Sequence, residues 1–135
     1  MSNMNREIKF RAWDKKRKRL YKVLHWHCPT MGDGHWATVE GFDIIEQKEI
    51  NLYIQPKDII LMQYTGLKDK NGKEIYEGDL FKPDTLTKPY CLEVKFNEKT
   101  ACFEPFGNSE YSDVPSLGKV IGNIHQNPEH LKGGE

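Results

Sequence analysis

Met62-Gln63-Tyr64-Thr65-Gly66-Leu67-Lys68-Asp69-Lys70-Asn71-Gly72-Lys73-Glu74-Ile75-Tyr76-Glu77-Gly78-Asp79-Leu80 reads as a β-hairpin followed by a strand entry. A two-residue Asn71-Gly72 turn would oppose Lys70 to Lys73 and Asp69 to Glu74, two like-charge pairs that disfavour the register. A three-residue loop, Lys70-Asn71-Gly72, with Gly72 at positive φ in a bulge, opposes Asp69 to Lys73, Lys68 to Glu74 and Leu67 to Ile75. Each such favourable cross-strand pair contributes about 0.2–1 kcal/mol, so the bulged loop is expected. Glu77-Gly78-Asp79 then turns the chain into Leu80-Phe81-Lys82. Asp79 is expected to be a turn carboxylate that accepts backbone N–H bonds rather than a general base.

Outward from this block the chain reads as mostly β. Glu7 to Trp13 alternates, with Ile8, Phe10 and Ala12 on one face and Lys9, Arg11 and Trp13 on the other. Asp14-Lys15-Lys16-Arg17 is a polar turn, and Leu20 to Leu24 resumes as the partner strand. Cys28 to Gly34 is a loop, Phe42 to Ile45 and Asn51 to Ile54 are short strands, and Ile59-Ile60-Leu61-Met62 fits a strand buried on both faces. Leu92 to Phe96 and Ala101 to Phe103 form a second hairpin about Glu98-Lys99. Closing it with Asn97 opposite Thr100 pairs Phe96 with Ala101 and Val94 with Phe103 on one face. That register opposes Cys102 to Lys95, Cys91 to Phe106 and Glu93 to Glu104. Lys119 to Ile124 is the last strand. Asn127-Pro128-Glu129 starts a short helix, with a cap, a proline at its first position and an acid in its first turn.

At 135 residues, with 37% hydrophobic, 30% charged and 11% aromatic side chains, the chain suits one compact domain, or one small domain with an added subdomain. No apolar run approaches the roughly 20 residues needed to cross a bilayer. Met1 to Asn5 carries no apolar signal core, so a soluble cytoplasmic protein is expected. Cys28, Cys91 and Cys102 then read as free thiols. Net charge is zero but segregated. Residues 1–25 carry a net of +7, residues 26–60 of −4 and residues 61–135 of −3. This segregation suits a homo-oligomer in which the basic N-terminus meets an acidic neighbour.

Three segments together resemble the YopX-like family of phage and prophage proteins. They are Arg6 to Asp14, Gln63 to Asp79 and Val120 to Glu129. Their order and spacing span almost the whole chain, whereas Leu24 to Glu49 carries no family motif. The resemblance implies a phage or prophage origin and an SH3-like small barrel in the C-terminal half. It implies no established activity and no catalytic residues. The expected architecture is therefore an N-terminal β-hairpin layer over residues 1–61, and a barrel with a short C-terminal helical turn over 62–135.

Candidate sites are few. His25, His27, Cys28 and His35 are zinc-ligand types, but their spacing matches no known finger, and incidental histidines in a Trp-rich hairpin are the plainer reading. Trp13, Trp26, Trp36, Tyr21 and Tyr53 read first as core. Lys9, Arg11 and Trp13 with Lys15, Lys16, Arg17, Lys18 and Arg19 form the one aromatic-basic surface that the strand pattern offers. It suits a protein contact or single-stranded nucleic acid. No G-x-S-x-G, Walker A or H-E-x-x-H pattern is present. The expected function is a non-enzymatic binding or adaptor module for a host or phage protein, without cofactor. The alternative is a nucleic-acid-binding accessory protein.

Overall fold

The structure, a computed structural model, describes residues 7–27, 37–44, 46–84, 91–107 and 113–132. The chain divides into two compact units, Ile8–Gln63 and Tyr64–Glu135, the second together with Met1–Glu7. Cys28, His35 and Trp36 lie outside the described residues. No described helix is long and apolar enough to cross a membrane.

The first unit is an antiparallel sheet. Its strands are β1 (Phe10–Asp14), β2 (Arg19–His27), β3 (Ala37–Asp43), β4 (Lys48–Ile54) and the first half of β5 (Ile59–Lys68), in the order β4-β3-β2-β1-β5. β1 pairs on both sides, Ala12 lying between Tyr21 and Leu61 and Trp13 between Leu20 and Ile60. Side chains pack on both faces of this strand. Ala12 packs with Val39, Ile54 and Ile59 on one face, and Trp13 packs with Leu20 and Met62 on the other. Ile54 ends one edge strand and Ile59 begins the other, joined by the 3-10 turn Pro56–Asp58, so the sheet curls towards the Ala12 face. No hydrogen-bonded pairing of β4 with β5 closes it.

In the second unit, the end of β5 meets β6 (Glu74–Tyr76) in the expected bulged hairpin. Lys68 opposes Glu74, Asp69 N–H donates to the Lys73 carbonyl at 2.9 Å, and Gly72 sits at φ +80°. The Leu67–Ile75 pair does not form. A bulge intervenes between Lys68 and Tyr64, with Gly66 at φ +86°, and Tyr64 opposes Tyr76. The bulge is held by Thr65 Oγ1, which donates to the Ile75 carbonyl at 2.8 Å and accepts from Leu67 N–H at 3.1 Å. Leu67 still packs against Ile75 in the cluster with Phe81, Val94 and Val120. β7 (Asp79–Pro83) lies between β8 (Leu92–Glu93) and β11 (Gly118–Asn123), and a four-residue α1 (Glu129–Lys132) follows as expected.

The second hairpin, β9 (Lys95–Asn97) with β10 (Cys102–Glu104), departs from the expected register by two residues. Asn97 opposes Cys102, and Phe96 opposes Phe103 with ring centroids 5.2 Å apart. The loop is longer than the sequence pattern suggests, and Ala101 takes φ +55°. A two-residue slip keeps every side chain on its face. It replaces the expected Glu93–Glu104 carboxylate pair with Glu104 opposite Lys95, and Glu104 Oε1 accepts from Asn97 Nδ2 at 2.7 Å. The protein is mostly β, but its strands form separate antiparallel sheets with no closed barrel among the described residues. Among the described residues β9–β10 pairs only with itself, so the expected SH3-like closure is not seen there.

Candidate functional site

Asp69, Asp79 and Asn123 of the two later motifs hold backbone. Asp69 is buried, and it accepts from Asn71 N–H at 2.8 Å, Lys73 N–H at 2.9 Å and Val120 N–H at 2.9 Å. One carboxylate thus ties the hairpin loop to β11. Asp79 accepts from Tyr76 N–H at 2.8 Å, the expected turn role. Asn123 Oδ1 accepts from His125 and Gln126 N–H at 3.0 and 2.9 Å. These groups build turns.

The basic N-terminal segment divides differently from its sequence pattern. Arg11 and Trp13 are 7% and 6% exposed, and Arg11 Nη2 reaches Met62 Sδ at 3.6 Å. The expected Lys9–Arg11–Trp13 surface therefore does not form. Lys9 is half-buried, and Trp13 packs against Leu20 and Met62 on the face that carried the pattern. Lys15 to Lys18 are exposed in the β1–β2 turn, and Arg19 opens β2.

That turn is built around Asp14, which is fully buried. Its Oδ1 accepts from Lys16 and Arg17 N–H, both at 3.0 Å. Its Oδ2 accepts from Arg17 Nη1 and from the Tyr21 hydroxyl, again both at 3.0 Å. Burial alone would raise the Asp14 pKa, but the bonds from Arg17 and Tyr21 outweigh it and hold the carboxyl below its usual range. The same burial, with the charge of Asp14 beside it, pushes the Tyr21 hydroxyl well above its ordinary value. Lys15 Nζ donates to the Lys57 carbonyl at 2.9 Å, and Lys16 Nζ lies 3.6 Å from Asp58 Oδ2. Arg19 pairs with Glu46 at 2.6 Å. Of the five cations, Lys15 and Lys18 have no ion-pair partner among the described residues.

Beside this turn lies a cleft of about 440 Å³ on the curled face of the sheet. The strand register explains it. Tyr21, Asp43 and Lys48 form one row across β2, β3 and β4, and Val23, Gly41 and Ile50 form the next. Gly41 puts no side chain between its neighbours, and its backbone runs so close to Lys22 that a Cβ would strike the Lys22 carbonyl oxygen. Ile50 and Leu52 make an apolar floor with Tyr21 at one wall. Arg17, Arg19, Glu46 and Lys48 stand at the rim. Glu46 holds two cations, Arg19 Nη2 on Oε1 and Lys48 Nζ on Oε2, each at 2.6 Å. The hydrogen bond from Lys48 and the charge of Arg19 keep Glu46 below the usual carboxylate range, and Glu46 raises Lys48 in return.

Sequence reasoning missed Glu46, Lys48, Ile50 and Leu52. The alternation Lys48-x-Ile50-x-Leu52-x-Ile54 was the available signal, and it places all four on one face. Tyr53, read as core, is 70% exposed because it falls on the opposite face of this edge strand. His25 and His27 are both exposed on β2, and no group of three or more His, Cys, Asp or Glu suited to a metal ion occurs among the described residues.

The comparisons agree on fold and are silent on activity. The crystal structure of protein EF1440 from Enterococcus faecalis superimposes with a TM-score of 0.58 at 25% identity, covering 94% of this chain and 99% of that one. Protein yopX from Bacillus subtilis gives a TM-score of 0.51 at 19% identity, covering 91% and 97%. No curated protein matches the sequence. The profile of the YopX protein family matches residues 9–132, nearly the whole of the resemblance read from the three motifs, and the chain belongs to that family.

Proposed function

We propose that this protein is a phage- or prophage-encoded, non-enzymatic binding module, and that a partner protein docks on the cleft and basic turn of the first unit. One observation carries the reading: an apolar floor of Ile50, Leu52 and Tyr21 enclosed by a charged rim. That is the anatomy of a protein contact, apolar at its centre and polar around it. The frame is rigid, because the turn is held by four hydrogen bonds to the buried Asp14. Nucleic acid is the weaker reading. Phosphate binding draws on cations free to release counterions, whereas Arg17, Arg19 and Lys16 already face Asp14, Glu46 and Asp58.

Pull-down from bacterial lysate with and without nuclease tests this. The expected result is a discrete protein that survives nuclease and is lost from a Leu52→Arg variant, which fills the cleft floor. Recovery that collapses on nuclease treatment, or a partner that Leu52→Arg retains, overturns the reading.

A further inference from the structure

We propose that the cleft recognises an acidic side chain of the partner flanked by an apolar one, and that Glu46 holds the place of that carboxylate until the partner arrives. The inference rests on the binding-module reading above and adds the chemistry of the ligand.

The geometry of the rim points to it. Glu46 is divided between two cations, one on each oxygen, both at 2.6 Å. Arg19 and Lys48 come from β2 and β4, two strands apart with β3 between them, so they converge on one point above the sheet. Two cationic donors converging on one carboxylate form a charge-assisted site that another carboxylate could fill equally well. Glu46 is free to leave it. Its side chain is 37% exposed, and it sits in the β3–β4 turn beside Gln47, which takes φ +57°. Its anchor is its backbone, whose N–H donates to Asp43 Oδ1 at 2.9 Å, so the turn does not depend on the carboxylate.

The charges favour an acid over a base. Arg17 is paired with Asp14, and the two cations that face the Glu46 position are Arg19 and Lys48. Asp43 is 3% exposed and occupied by the Glu46 backbone, so it offers little to an incoming cation. Once Glu46 swings out, the vacated position faces Arg19 and Lys48 over Ile50 and Leu52. Exchange of one carboxylate for another changes the net charge of the rim little. Affinity then comes from the apolar neighbour on the floor, and Glu46 acts as a built-in competitor that weakens it.

The test uses the full chain and two short end-blocked peptides, one with glutamate between two leucines and one with glutamine in its place. Methyl NMR of Ile50 and Leu52 reads the cleft directly. The glutamate peptide is expected to shift both residues, and the glutamine peptide to bind more weakly. Glu46→Gln should tighten the glutamate peptide by about five-fold, the scale of the exposed ion pairs it releases, and leave the glutamine peptide unchanged. Arg19→Gln with Lys48→Gln should erase the preference for glutamate. Equal binding of the two peptides, weaker binding to Glu46→Gln, or no shift at millimolar peptide each overturns the inference. The binding-module reading stands or falls separately, on whether Leu52→Arg loses the partner.

Discussion

The Tyr21 hydroxyl donates to Asp14 Oδ2 at 3.0 Å, joining the third residue of β2 to the last residue of β1. Both side chains are buried, at 2% and 0% exposure, and together they close the base of the β1–β2 turn. The turn presents its cations to solvent because its one carboxylate points inwards.

Tyr21→Phe removes that donor and leaves the rest of the Asp14 cradle in place. A hydrogen bond to a charged group contributes about 1.5–3 kcal/mol, and a loss of that order is expected in chemical denaturation. The pKa of Tyr21 is raised in the folded protein, so its contribution is complete below the ordinary tyrosine value of 10.0 and is lost as pH rises beyond it. The wild type should therefore lose stability in that alkaline range more steeply than Tyr21→Phe. Parallel curves for the two proteins would remove the coupling.

Asp69→Asn should destabilise the second unit by about 3 kcal/mol, because an amide oxygen cannot replace a carboxylate that accepts from three backbone N–H groups. Burial raises the Asp69 pKa, but the bonds from Val120, Lys73 and Asn71 outweigh it and lower the group on balance. Its contribution is present above the unfolded aspartate value near ~3.9 and is lost as pH falls through the lower folded value. Acid titration of stability should be shallower in the variant than in the wild type.

Gly72→Val tests the bulged loop. Nothing lies within 4 Å of a Cβ at this position, so any cost arises from φ +80° and not from a clash. A left-handed β-branched residue costs roughly 1–2 kcal/mol. Thermal melting should fall by several degrees, and Gly72→Asn, which tolerates this conformation, should recover most of the loss. An unchanged melting temperature for the valine variant would contradict the loop.

Cys91 and Cys102 should differ in reactivity. Burial pushes the Cys91 thiol up, with Lys82 opposing it weakly, while Cys102 is half-buried near a hairpin turn. Under native conditions a maleimide should label Cys102 first and Cys91 only as the protein opens. Equal labelling rates, read by mass spectrometry of the peptides, would show that Cys91 is not sealed.

What the sequence determined by itself is mainly local. The Lys70-Asn71-Gly72 bulge was legible because one glycine and two charge pairs decide it within a few residues. The short helix after Asn127-Pro128 was readable for the same reason. The tertiary structure alone decided the rest, because each remaining feature depends on strands distant in sequence. Arg11 and Trp13 look like a surface on an isolated strand and are buried by contacts with Met62, 51 residues from Arg11 in sequence, and, for Trp13, with Leu20. The register of β9 with β10 slipped by two residues because an even slip leaves the apolar pattern unchanged, and pattern is all that a sequence offers. The cleft needed most: Tyr21, Gly41 and Ile50 become neighbours only when three strands pair in one register, and Glu46 meets Arg19 only across that pairing.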